Sequence, residues 1–233
     1  MEEIRMGVLD GRVALISGAG TGLGNATAIA YAREGAAVIL VGRRKGKLEE
    51  TAQEIAAVTS GKGQTLVYPA DVSSESQINA AVQAAVAAFG NIDVLVNNAA
   101  VFEPGLVIEL TAEEWDKQIA VNLTGPFLLT RAVLPIMRKS RYGRIINITS
   151  SLASNGAGGY AAYSAAKAGL ESLTRTLADE EHENGIIANL YNPGTVKSEM
   201  HATGKEASTV TPDLIRLASL PAGSPTGTLV TYK

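Results

Sequence analysis

No cysteine occurs in the 233 residues, so neither disulfides nor thiolate nucleophiles enter the chemistry. Histidine is almost as scarce. Only His182 and His201 are present, no ligand cluster surrounds them, and no metal is expected. Aromatics make up 5% of the chain and the net charge is only −3, which gives no general attraction to nucleic acid or acidic membranes; any phosphate must be bound locally. No stretch reaches about 18 uninterrupted apolar residues, and the opening MEEIRMGVLDG has no apolar h-region. A soluble, cytoplasmic protein with no nucleic-acid or membrane partner is expected, and the Asn-x-Thr sequons at Asn25, Asn122 and Asn147 are then chance matches.

What is abundant is core material: 46% of residues are hydrophobic. A single domain over 1–233 is expected, with residues 1–10 as an extension without fixed structure. Short apolar runs at 12–17, 37–41, 64–68, 92–96, 144–149 and 186–191, and a last one at 228–232, read as strands. Between them, helical spacing falls at 25–35, 47–58, 74–89, 111–138, 160–183 and 213–220. The fourth of these opens with a capping box, Thr111 to Glu114, and is expected to bend or break near Gly125-Pro126 and Pro135. Strands alternating with helices pair in parallel, so the fold class is α/β, a doubly wound parallel sheet. Ligands in such sheets bind beyond the carboxyl ends of the strands.

That rule singles out the glycine turn after the first strand, where Gly18, Gly20, Gly22 and Gly24 lead into a helix. Glycines there let the backbone approach a pyrophosphate, whose charge meets the helix N-terminus. No Lys-Ser or Lys-Thr follows, which excludes a nucleotide triphosphatase loop. Farther along, Tyr163 and Lys167 are four residues apart and share one helix face. A nearby ammonium favours the phenolate and lowers a tyrosine's pKa, which suits acid-base work near neutral pH. Tyr160 is seven residues from Lys167 and lacks that relationship.

Six ordered motifs then carry a resemblance to a known family: Gly18-x-x-x-Gly22-x-Gly24, NNAA at 97–100, VNLTG around Asn122, Ser150 thirteen residues before Tyr163, YSAAK at 163–167, and PGTV at 193–196. Together they resemble the short-chain dehydrogenase/reductase family over nearly the whole length. The resemblance implies the strand order 3-2-1-4-5-6-7 and a catalytic tetrad of Asn122, Ser150, Tyr163 and Lys167. In it Tyr163 is the general acid and base, Ser150 binds the substrate oxygen, Lys167 binds the nicotinamide ribose and lowers the tyrosine pKa, and Asn122 holds a proton-relaying water. It further implies cofactor contacts from Gly18, Gly20, Thr21, Gly22, Leu23 and Gly24, from Asp71 and Val72 at the adenine, from Asn98, Ala99 and Ala100, from Tyr163 and Lys167, and from Pro193, Gly194, Val196 and Ser198. Ser17 and Ala100 depart from the family's threonine and glycine.

An acidic residue at the end of the second strand would favour NAD(H), but Gly42 stands there, followed by Arg43 and Arg44, so NADP(H) is preferred. The activity implied is hydride transfer between NADP(H) and a carbonyl or secondary alcohol. Two other readings compete. One is a non-catalytic NADP(H)-binding sensor on the same fold; the other is a serine hydrolase using Ser164 and Lys167, which lacks its companion motifs. The family resemblance implies a homodimer or homotetramer formed through the helices at 111–138 and 160–183. Residues 152–160 and 197–210 are expected to line the substrate pocket.

Overall fold

The computed structural model describes residues 7–199 and 202–232. Seven parallel strands, β1 (Val13–Ser17), β2 (Ala37–Gly42), β3 (Thr65–Pro69), β4 (Val94–Asn97), β5 (Gly143–Ile148), β6 (Ile186–Asn192) and β7 (Leu229–Thr231), form one sheet. Its order is β3-β2-β1-β4-β5-β6-β7, as expected. The helices are α1 (Gly22–Arg33), α2 (Lys45–Val58), α3 (Glu75–Phe89), α4 (Ala112–Ile119), α5 (Gly125–Ser140), α6 (Leu152–Asn155), α7 (Ala161–Glu181) and α8 (Thr211–Ala218).

Strand side chains alternate between faces, and the two cores follow that alternation. Ala14, Ile16, Leu40, Val96 and Ile146 meet Tyr31 of α1, Leu48 and Ile55 of α2 and Leu214 of α8. Leu15, Ile39, Leu95, Ile145 and Ala188 meet Ile78 and Val82 of α3, Leu129 and Val133 of α5 and Leu177 of α7. Both faces are covered, which is why the strands read as unbroken apolar runs. The chain winds outward from β1 to β3 and then returns to β4 on the other side of β1. The crevice between the carboxyl ends of β1 and β4 is the switch point at which such sheets bind ligands.

The helix expected to bend or break near Gly125-Pro126 and Pro135 is not broken at either proline, and it is irregular just before the first. A π-helical turn, Ala120–Thr124, joins α4 to α5. Pro126 has no N–H for the carbonyl four residues back, Asn122, and the wider turn accommodates that missing bond. The capping box at Thr111 and Glu114 is present. By length and composition alone the run Ala112–Ser140 could cross a membrane, yet its Leu128, Leu129, Val133 and Met137 are buried against the sheet, as in a core helix. Residues 7–10 also differ from expectation: Leu9 is fully buried and its N–H donates to the Glu34 carbonyl at 2.9 Å. Only 1–6 of the expected extension lie outside the described residues. The stretch 152–160, which lies almost wholly outside the helices and strands expected from the sequence, contains α6.

Candidate active site

A cavity of about 850 Å³ opens over the carboxyl ends of β1, β2, β4, β5 and β6. Its wall at one end is the glycine turn and at the other Ser150, Tyr163 and Lys167. Of the site residues named from the sequence, all but two line it. Gly24 is one exception, and its reason is packing: a Cβ there would lie 2.1 Å from the Gly18 carbonyl oxygen, so α1 can approach β1 only with glycine at this position. Asn122 is the other.

The glycine turn is braced from β4. Asn98 donates through Nδ2 to the carbonyls of Ser17, at 3.0 Å, and Gly18, at 3.2 Å. Ser17 Oγ accepts from the backbone N–H groups of Asn98 and Ala99, so the hydroxyl common to serine and threonine is in use. Gly18 and Gly22 take φ of +66° and +55°, a region that disfavours side chains. Thr21 caps α1 in extended conformation without a side-chain cap bond, and no acidic residue sits in the first turn. The first-turn N–H groups are therefore left to a ligand, and an anion such as pyrophosphate matches them. Asp71 and Val72 after β3, and Arg43 and Arg44 after β2, also line the cavity.

At the other end, α7 carries Tyr163 and Lys167 on one face. Lys167 is buried and donates to the Ile148 carbonyl at 2.7 Å, with no carboxylate paired to it among the described residues. Burial pushes its ammonium down to about 8. The Tyr163 phenol goes the other way: burial pushes it up to about 12. The lowering expected from Lys167 is thus outweighed by desolvation; the ammonium lies 5.5 Å from the ring centre. Ser150 Oγ accepts from the Leu152 N–H at 3.3 Å, leaving its hydroxyl hydrogen to donate. Ser164 does not line the cavity, and its buried Oγ has no partner among the described residues. With Lys167 bound to Ile148, the pair expected of a serine hydrolase is not formed.

Asn122 is fully buried and grips one residue twice: its Nδ2 donates to the Val101 carbonyl at 2.8 Å, and its Oδ1 accepts from the Val101 N–H at 2.9 Å. Both side-chain atoms are thus committed to Val101, while the main-chain carbonyl of Asn122 meets no N–H at Pro126, four residues on, and is the part suited to hold a water. Gln118 holds Glu103 in the same manner. Between these clamps stands Phe102, a residue the sequence reading missed. Its ring stacks on Tyr160 at 5.0 Å and meets Tyr163 edge-on at 5.2 Å. One signal was available, an aromatic residue five positions after Asn97 in a chain with only three phenylalanines. Of the expected pocket residues 197–210, Ser198 and Glu199 reach the cavity; Lys197 and 202–210 do not, and 200 and 201 lie outside the described residues.

A family model described as short chain dehydrogenase matches residues 12–209. The chain belongs to that family. It is an NAD(P)-dependent oxidoreductase acting on CH–OH groups. Among its relatives, a 3-oxoacyl-acyl-carrier-protein reductase of Thermotoga maritima is 38% identical over 192 residues, covering 82% of this chain and 77% of the relative. Another from Vibrio cholerae is 37% identical over 216 residues, covering 92% and 84%. The crystal structure of levodione reductase superposes with a TM-score of 0.91 at 32% identity, over 96% of both chains.

Proposed function

We propose that this family member reduces a carbonyl compound with NADP(H), or oxidises the corresponding secondary alcohol, with Tyr163 as general acid and base. The observation that carries the reading is Tyr163 beside the buried Lys167, whose ammonium lies 5.5 Å from the phenol ring centre, in the same cavity as the glycine turn. The names of the relatives, 3-oxoacyl and levodione reductases, agree with a carbonyl substrate.

The residues fit the cofactor. Gly18, Gly20, Thr21, Gly22 and Leu23 would hold the pyrophosphate, Arg43 and Arg44 the 2′-phosphate, and Asp71 and Val72 the adenine. Asn98, Ala99, Ala100 and Lys167 would hold the nicotinamide ribose, and Pro193, Gly194, Val196 and Ser198 the carboxamide. When bound, NADP(H) supplies or accepts the hydride. Tyr163 gives its proton to the carbonyl oxygen, a transfer that typically contributes about 10²- to 10⁴-fold. Ser150 donates a hydrogen bond to the same oxygen, where negative charge develops. The Lys167 ammonium lowers the cost of the phenolate left behind, and a water on the Asn122 carbonyl returns the proton.

We further propose a cytoplasmic homodimer or homotetramer, for which Trp115 of α4 and Phe127 of α5, both exposed, supply apolar surface. The test of function is oxidation of NADPH, and of NADH in parallel, against a panel of ketones and 3-oxoacyl thioesters. Consumption of NADPH with at least one carbonyl is expected; binding of NADPH without reduction of any carbonyl would point instead to a sensor.

A further inference from the structure

Arg44 is held by one of the protein's own carboxylates. Its Nη2 donates to Glu199 Oε2 at 2.7 Å and to Thr21 Oγ1 at 3.3 Å. Glu199 lies in the segment after β6, far from Arg44 in sequence. Its neighbour Ser198 packs over the glycine turn, where a Cβ added to Gly22 would come within 2.9 Å of the serine Cβ. This segment therefore roofs the turn, and the ion pair fastens the roof to the start of α2. Lys47 also faces Glu199 electrostatically, but its ammonium is bound to Glu50 at 2.6 Å. The two arginines after β2 are thus unequal. Among the described residues no carboxylate lies within ion-pair distance of Arg43, which acts on Asp71 only at longer range.

We propose that Glu199 is a specificity-determining residue, whose carboxylate competes with the adenosine 2′-phosphate for Arg44 and weakens NADP(H) binding relative to NAD(H). The inference rests on Arg43 and Arg44 being the phosphate-facing residues. A phosphate monoester brings a charge of about −1.5 to −2 at pH 7. To reach Arg44 it must displace the carboxylate or sit beside a like charge. The uncharged 2′-hydroxyl of NAD(H) meets neither penalty. Because both side chains are more than half exposed, at 57% and 55%, solvent screens the competition and its size is modest.

Isothermal titration of the wild type, Glu199→Gln, Arg44→Met and the double variant with 2′,5′-ADP and with 5′-AMP isolates the phosphate without any catalytic readout. Glu199→Gln is expected to tighten 2′,5′-ADP about two- to fivefold and to leave 5′-AMP unchanged, and the gain should vanish when Arg44 is methionine. A gain shared by both nucleotides, no gain, or a gain that persists without Arg44 overturns the competition. The NADP(H) reading is judged separately, by whether the wild type prefers 2′,5′-ADP over 5′-AMP and loses that preference in Arg43→Met/Arg44→Met. If no preference exists but Glu199→Gln creates one through Arg44, the competition stands and the cofactor reading falls. If the preference exists and Glu199→Gln leaves it unmoved, the reverse holds.

Discussion

Lys167 on α7 donates its buried ammonium to the carbonyl of Ile148, 2.7 Å away at the end of β5. That bond fixes the helix bearing Tyr163 against the strand leading to Ser150. The ammonium achieves this in a place that disfavours its charge, and the consequence can be measured.

The folded protein holds the Lys167 ammonium at about 8, against 10.5 for the unfolded side chain. Between those values the unfolded state binds more protons, so stability rises with pH there; below about 8 the full penalty applies. The difference corresponds to at most about 3 kcal/mol. Lys167→Met should therefore lose activity, while its stability relative to wild type declines as pH rises from 8 to 10.5. Denaturant unfolding of both proteins across that range checks this, and a pH-independent difference would contradict it.

Gly24→Ala tests the approach of α1 to β1. A Cβ 2.1 Å from a backbone oxygen cannot be absorbed by a flexible side chain, so the helix must shift. A loss of about 2 kcal/mol or more and weaker NADPH binding are expected, from chemical denaturation and fluorescence titration respectively.

Much of this frame was legible in the sequence, because parallel strands buried on both faces leave short apolar runs in the residue order. The glycine turn was legible for the same kind of reason: close backbone approach leaves only glycine. Contacts between distant segments were not. Nothing local at Asn122 shows that its amide is closed on Val101, or at Arg44 that Glu199 holds it. The spacing of Tyr163 and Lys167 showed the pair but not the direction of the phenol's shift, which depends on how much water the fold removes.

Asn122→Ala should loosen the loop that carries Phe102. Leaving the Val101 N–H and carbonyl without partners costs about 2–4 kcal/mol. Because Phe102 packs against Tyr163, turnover should fall while the affinity for 2′,5′-ADP, whose proposed site is at the far end of the cavity, is unchanged. Steady-state kinetics beside calorimetric titration separates the two effects.

The pH profile gives a further check. With Tyr163 in its proposed role, reduction would use the protonated phenol and its rate should be flat through neutral pH; oxidation of the alcohol would use the phenolate and should rise by about tenfold per pH unit below the apparent pKa. Opposite behaviour would assign the proton to another group.

Tyr163→Phe removes the proton and little else, since the ring that meets Phe102 edge-on is retained. Single-turnover reduction with saturating NADPH, measured beside NADPH affinity, should show a rate lowered by about 10²- to 10⁴-fold with the affinity nearly unchanged. An unchanged rate in that variant would contradict the assignment of Tyr163 as the acid.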